Sequence, residues 1–161
     1  QLRREFLEEI AGNSVFQRMM AENALRHRPP LGGLFREFSL TRKGTDKHTL
    51  DLKVQGLTPF VDAARILALA NGIEECSTLE RLDQLVMRGV IEALDGAAYE
   101  EAYRYIQLIR MQLHQSQAKG GLPLSNRIDP DDLNDLDRRV LRESFRQAQR
   151  LQSSLTLRYQ L

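Results

Sequence analysis

The sequence predicts an all-α fold: a helical bundle with one long loop or short hairpin between the first and second main helices. Three observations support this fold class. Apolar residues recur with helical spacing in several long stretches, capping residues stand at the starts of those stretches, and short segments rich in glycine or proline separate most of them. The chain has 161 residues, of which 42% are hydrophobic, so it is long enough to form one domain with its own core.

The first stretch, residues 1–28, is predicted to be helical with a break at Gly12-Asn13. Ser14 and Gln17 have the spacing of a capping box, so a second helical segment should begin there. Pro29-Pro30 should end it, because proline has no amide hydrogen to donate and restricts the residue before it. The apolar face of this second segment is predicted to consist of Phe16, Met19, Met20, Ala24 and Leu25.

Residues 31–56 have little helical signal, because they contain four glycines and only short alternations of apolar and polar residues. We expect a long loop here, or a short hairpin that turns near Lys43-Gly44. Over residues 48–54 an extended segment would turn its leucines and Val54 toward the core. A connection of this length inside a compact domain usually either has a function or contains a helix or strand that the sequence pattern does not reveal.

The remaining helices are predicted from their caps and apolar stripes. Thr58-Pro59 resembles an N-cap followed by proline at the first helical position, and the helix after it is apolar almost all round, as expected for a central buried helix. Ser77 and Glu80 form a capping box for a short helix that ends at Arg88. Leu136 heads the apolar face predicted for the last helix. The main helices are expected near 14–28, 59–71, 95–118 and 135–158.

The charge balance and the cysteine count narrow the class of protein. The chain has 23 basic and 22 acidic residues, so it lacks the excess of positive charge that binds DNA through phosphates alone. The one cysteine, Cys76, cannot form a disulfide within the chain and suits a reducing cytoplasm. We therefore expect a cytoplasmic domain with no DNA or membrane partner. Because the sequence opens on Gln1 rather than Met, we expect residues 1–161 to be a single domain cut from a longer protein.

The sequence suggests neither a catalytic residue nor a metal site. The three histidines are far apart and have no ligand partner at helical spacing, and there is no glycine-rich phosphate loop.

The densest group of polar residues lies between His48 and Arg65. In an extended segment Asp51 and Lys53 would share one face, and Asp62 and Arg65 would be neighbours on the next helix. The short connection between the two pairs should bring them close together, with His48 at the rim. One alternative is that these residues form a structural polar network. The other is that they line a pocket for a nucleotide or an acidic ligand. Lys53 and Arg65 would then bind phosphate oxygens, and the two aspartates would orient these cations or accept a hydrogen bond from a ribose hydroxyl.

Four arginines recur every fourth residue on the last predicted helix: Arg138, Arg142, Arg146 and Arg150. They would share one face, with Arg139 beside it. This ladder is either a solvated helix face with local ion pairs, such as Arg146 with Glu143, or a docking surface for an anion.

The order of four motifs resembles a known family. The motifs are RPPLG at Arg28–Gly32, HTLDLKVQGLTPFVDAARILAL at His48–Leu69, TLERL at Thr78–Leu82 and NRIDPDDLNDLDRRVLRESF at Asn126–Phe145. This run resembles the nucleotidyltransferase substrate-binding domain of bacterial signalling proteins. The resemblance extends over nearly the whole chain, and the LDLK…G…PFVD…R element is its most specific part.

The resemblance implies a domain that follows a nucleotidyltransferase-like domain in the same chain, often with CBS and cyclic-nucleotide-binding domains upstream. It also implies similarity to the helical domains of PII-protein uridylyltransferases. The chain would then hold a nucleotide or a regulatory protein substrate for a parent nucleotidyltransferase that uses Mg²⁺ and a nucleoside triphosphate. By itself it would need no cofactor and would not be catalytic. The alternative is a structural or oligomerisation bundle, such as a homodimer, without a ligand.

Overall fold

A computed structural model describes residues 2–32, 38, 40 and 48–161, and within them the chain is predominantly helical. The all-α prediction is therefore confirmed. The predicted turn near Lys43-Gly44 lies outside the described residues. The described helices are α1 (Leu2–Gly12), α2 (Ser14–Ala24), α3 (Thr58–Ala70), α4 (Thr78–Met87), α5 (Ala93–Lys119) and α6 (Asp135–Tyr159).

Four short elements lie between the described helices. Strand β1 (Leu50–Asp51) pairs antiparallel with β2 (Arg127–Ile128), so the segment before α3 is tied to the segment before α6. Leu52–Leu57 then forms a single π-helical stretch, here called the π turn, which runs directly into α3. A short 3₁₀ turn, Pro130–Asp132, precedes α6.

Helix α3 lies at the centre of the bundle and packs against α1, α2, α4, α6 and the π turn. Its side chains are almost all apolar, and Phe60, Ala63 and Ala64 are fully buried. Phe60 meets the ring of Tyr103 on α5 edge to face, at 6.0 Å between centroids. The prediction of a central buried helix is confirmed, although Val61 is partly exposed.

Helices α5 and α6 form the second layer of the core. Ile106 from α5 and both Leu141 and Phe145 from α6 are fully buried. The side chain of Asn134 caps α6 by accepting a hydrogen bond from the Asp137 amide at 2.8 Å, as the predicted start implies. Leu136 is 69% exposed, so its predicted inward position is wrong. It stands five residues before Leu141, which is roughly 140° away around a helix of 3.6 residues per turn.

Helix α2 starts at Ser14 as predicted, but its N-cap, its end and its apolar face differ from the prediction. Asn13, not Ser14, is the N-cap, and its side chain accepts from the Phe16 amide at 2.9 Å. The helix also ends at Ala24, before the predicted boundary. Phe16 and Met19, both predicted to be buried, are exposed, and Gln17 takes an inward position instead.

Gln17 is buried because its amide group finds hydrogen-bond partners on both α1 and α6. Its Nε2 donates to the carbonyls of Ile10 and Ala11 at 2.8 and 3.0 Å, and its Oε1 accepts from the Tyr159 hydroxyl at 3.1 Å. A buried amide with these partners is satisfied, which apolar periodicity does not reveal.

The segment around Asp51 is not the extended strand that the alternation predicts. Only Leu50–Asp51 is a strand, and the π turn begins at the next residue. Asp51 and Lys53 therefore do not share a strand face, and Val54, predicted to be inward, is 42% exposed. Leu50 and Leu52 are fully buried, as predicted. The cause is the Asp51 side chain, which caps the π turn through the amides of residues 53 and 54.

Gly56 lies where the π turn packs closely against α5 and α6. A Cβ atom at this position would be 3.0 Å from Ile106 Cγ2 and 3.0 Å from Phe145 Cε1, both in fully buried side chains. These side chains have little room to move, because protein interiors are close-packed.

We predict that Gly56→Ala lowers the free energy of unfolding by about 1–3 kcal/mol, the usual effect of overpacking a core. Urea denaturation measures it. The matched control is Gly12→Ala, where no atom lies within 4 Å of the added Cβ, and there we expect a change within about 0.5 kcal/mol. Equal effects at the two positions would contradict the prediction.

Candidate functional site

Asp51, the first of the predicted site residues, uses its carboxylate to hold the backbone. Its Oδ1 accepts hydrogen bonds from the amides of Lys53 at 2.9 Å and Val54 at 2.8 Å. Its own amide donates to Gln55 Oε1 at 2.8 Å. These contacts satisfy amides that a helix start leaves without partners, so Asp51 stabilises the π turn.

Lys53 and His48 are two exposed residues of the predicted site. The Lys53 ammonium has no hydrogen bond or ion pair within the described part of the chain, while its backbone carbonyl accepts from Thr58 Oγ1 at 3.0 Å. His48 has a left-handed backbone, with φ of 64°, and precedes β1. Both side chains could meet a ligand or a neighbouring domain.

Asp62 lies on α3 between Arg65 and His27. Its Oδ1 is 3.6 Å from an Arg65 guanidinium nitrogen, and its Oδ2 is 4.0 Å from His27 Nδ1. Burial raises the pKa of the Asp62 carboxyl above its usual 3.8, while the charges of Arg65 and His27 oppose that rise. His27 Nδ1 is itself buried without a hydrogen-bond partner among the described residues.

The structure therefore brings Asp62 and Arg65 together but does not join them to the other predicted pair. No hydrogen bond or ion pair among the described residues links Asp51 or Lys53 to Asp62 or Arg65. Arg65 is also 45% exposed, so these charges are not a deeply buried network. His27 is the partner that sequence reasoning missed, because it follows α2 and meets α3 only through tertiary packing.

Every arginine of the predicted ladder on α6 has a partner nearby. Three of them pair with carboxylates and one lies over an aromatic ring, which supports the interpretation as a helix face with local pairs. The pairs are Arg138–Asp131 at 3.4 Å, Arg142–Phe38 at 5.4 Å from the ring centroid, Arg146–Glu143 at 2.9 Å and Arg150–Asp95 at 2.9 Å.

A groove of about 480 Å³ between α5 and α6 was not predicted. Ala98, Ala102 and Val140 give it an apolar floor, and Arg139 and Gln147 are among its polar residues. It was missed because two separate helices form it through tertiary packing, and the side chains that each contributes show no distinctive pattern in the sequence.

Tyr105 stands at one end of this groove. Its hydroxyl donates to Asp137 Oδ1 at 2.8 Å. Burial, then this hydrogen bond and the charge of Asp137, raise the pKa of Tyr105 well above its usual value of 10. The phenol is therefore a fixed, neutral wall of the groove.

The described residues offer neither a metal-ligand cluster nor a membrane-spanning helix. No cluster of three or more histidine, cysteine, aspartate or glutamate side chains there has the geometry to hold a metal ion. None of the described helices combines the length and apolar character needed to cross a membrane.

Comparison with known proteins gives one match. A family model described as "Putative nucleotidyltransferase substrate binding domain" matches residues 14–159, which include α2 to α6. The search of curated proteins and the search of solved structures found no match.

We predict that Asp51→Ala lowers the free energy of unfolding by about 1 kcal/mol, because two amides of the π turn lose their cap. Lys53→Ala, two residues away, should change it by less than about 0.5 kcal/mol, because its ammonium is exposed. Thermal and urea unfolding of both variants measure the difference. A larger loss for Lys53→Ala than for Asp51→Ala would show that these roles are reversed.

We predict that the effect of Asp62→Asn on the free energy of unfolding depends on pH. The raised pKa means that the folded state holds this proton more tightly than the unfolded state. The carboxyl therefore stabilises the fold most below pH 3.8 and loses that contribution as the pH rises through its raised pKa. The stability of Asp62→Asn relative to the unaltered chain should consequently improve as the pH rises through this window.

Urea denaturation at a series of pH values measures this difference. Arg65→Ala is the companion variant: it removes a cation that lowers the Asp62 pKa, so the loss of stability with rising pH should become steeper. A relative stability of Asp62→Asn that falls with rising pH would contradict the assignment.

Proposed function

Since the chain belongs to the family of nucleotidyltransferase substrate-binding domains that this match identifies, we propose that it is the accessory substrate-binding domain of a signal-transduction protein of nucleotidyltransferase type. The observation that supports this proposal is the match itself, which extends over 14–159 and hence over the central helix and both layers of the bundle.

The proposed division of labour follows from the chemistry of nucleotidyl transfer. Metal ions must neutralise the charge that develops on the transferred phosphorus group, and paired carboxylates hold those ions. We assign this chemistry, with Mg²⁺ and the nucleoside triphosphate, to a neighbouring domain of the same chain that is similar to PII-protein uridylyltransferases. The present domain would hold the nucleotide or a regulatory protein substrate in place.

The surface around α3 suits contact with such a partner. Lys53 in the π turn and Arg65 in the middle of the central helix are exposed cations, and His48 is also exposed. The backbone below them is held by the Asp51 cap and the buried Gly56 contact. Exposed charged side chains on a backbone held in this way can meet a partner.

A second candidate function is a structural or oligomerisation bundle that forms a homodimer. The observation that favours it is the exposure of four apolar side chains on α1 and α2. They are Leu2, Phe6, Val15 and Met19, with exposed fractions of 83%, 57%, 68% and 62%. Leu2 and Phe6 are one turn apart on α1, as are Val15 and Met19 on α2, and an exposed apolar patch commonly marks an interface.

We predict that removing this domain from the parent protein raises KM for the transferred nucleotide or for the acceptor substrate about tenfold or more, since positioning of the substrate is lost. Adding the separate domain should restore part of the activity. The domain alone, with Mg²⁺ and each of the four nucleoside triphosphates, should release no pyrophosphate. Steady-state kinetics with pyrophosphate detection measure all three.

Unchanged kinetics after removal of the domain would contradict the proposed function. If sedimentation then shows a dimer that Phe6→Glu dissociates, the structural alternative is correct. Pyrophosphate release by the isolated domain would show that it is itself a transferase.

A further inference from the structure

We propose that the outer face of α5 binds the same face of a second copy of this chain, with the two helices running in opposite directions. This inference goes beyond the proposed function, because it concerns assembly and requires no ligand. It also differs from the structural alternative, which places the dimer contact on α1 and α2.

Helix α5 carries apolar side chains on two faces. Ile106 and Ile109 point into the core and are buried. Leu94, Leu108 and Met111 lie on the outward side of the same helix and are exposed. A helix that packs on one side usually presents polar residues to water on the other, so a second apolar face calls for a partner surface.

The outward residues follow the spacing of a coiled-coil seam. Six positions recur at alternating intervals of three and four residues, and all of them are exposed. We call this set the outer stripe: Leu94, Ala97, Glu101, Arg104, Leu108 and Met111. It extends over about 26 Å of the helix at 1.5 Å per residue, so a second helix can lie along it.

The outer stripe is complementary to itself when two copies run in opposite directions. A twofold axis that passes between residues 102 and 103 brings apolar residues against apolar residues and the acidic position against the basic one. The facing pairs are Leu94 with Met111, Ala97 with Leu108 and Glu101 with Arg104. The symmetry makes each of these contacts occur twice.

The two charged positions select this arrangement. In a parallel pair Glu101 would face Glu101 and Arg104 would face Arg104, and like charges in a seam disfavour association. An antiparallel pair with its axis at residue 106 would place Glu101 against Met111 and Arg104 against Leu108, so both charges would lose water without gaining a partner. The axis between residues 102 and 103 satisfies both charges.

Both charged side chains are available for this contact. Glu101 is exposed and makes no hydrogen bond or ion pair within the described residues. Arg104 is exposed and lies 3.8 Å from Glu100 in its own chain. A long exposed pair of this kind contributes little to stability, so the guanidinium can also reach a carboxylate of the second copy.

Sedimentation velocity of the 161-residue chain at about 5–200 µM tests the proposal, and we expect a monomer–dimer equilibrium in this range. Leu108→Glu places a carboxylate in the seam and should weaken the dimer about tenfold or more. Leu2→Glu is the matched control, because it changes an exposed leucine of α1 in the same way. It should alter the dimer constant less than about twofold.

Exchange of the charges tests the register. Glu101→Arg makes both charged positions of the stripe basic, and Arg104→Glu makes both acidic, so each variant alone should dimerise about tenfold or more weakly than the unaltered chain. When the two variants are mixed, every basic position faces an acidic one, and a 1:1 complex should form. Native mass spectrometry with one variant isotope-labelled identifies this complex.

Circular dichroism checks that each variant keeps its helices. If Leu108→Glu does not fold, Met111→Glu replaces it, since Met111 is a more exposed member of the stripe. The charge variants change exposed residues and give an independent result.

The inference is overturned if the chain stays monomeric up to about 200 µM, or if the mixed charge variants do not associate. It also fails if Leu2→Glu weakens the dimer as much as Leu108→Glu does, or more, since the contact would then include α1 and α2. The proposed function is judged by the kinetics of the parent protein after removal of the domain, so the two proposals can fail separately.

Discussion

The contact between the Gly56 backbone and the side chains of Ile106 and Phe145 is the constraint on which the rest of this bundle depends. A residue with any side chain would push the π turn away from α5 and α6, and α3 follows the turn without a break. The Asp51 cap holds the turn from the other end. Asp51 and Gly56 therefore both act on the position of the central helix, one by capping the π turn and the other by letting it approach the second layer.

The positions of the helices could be predicted from sequence because their signals are local. Asn134 and Ser77 are N-caps whose hydrogen-bond partners lie within four residues. Pro59 stands in the first turn of α3, where its fixed φ angle suits the helix. The same reasoning failed at Gln17 and Leu136, where the outcome depends on what packs against the helix. Gln17 is buried because α1 and α6 offer it partners, and a sequence pattern contains no information about those distant contacts.

Prediction of the candidate site had the same limit. Asp62 and Arg65 are adjacent on one helix and were correctly paired, whereas the union of this pair with Asp51 and Lys53 assumed a strand that the structure replaces with the π turn. His27 and the groove between α5 and α6 could not be found, since both depend on tertiary packing. On α6 neighbouring arginines differ in their contacts. Arg138 and Arg146 each pair with a carboxylate, whereas Arg139 makes no ion pair within the described residues.

The hydrogen bonds of Tyr159 have a consequence for the order in which the chain can be completed during synthesis. Its hydroxyl meets Gln17, and its carbonyl accepts from Arg18 at 3.1 Å, so residues near the two ends of the sequence form one joint. A ribosome delivers α1 and α2 first, and they remain without this joint until the last turn of α6 emerges. During translation α1 and α2 can therefore pack on α3, which emerges earlier, but they lack their hydrogen bonds to α6 until its last turn is made.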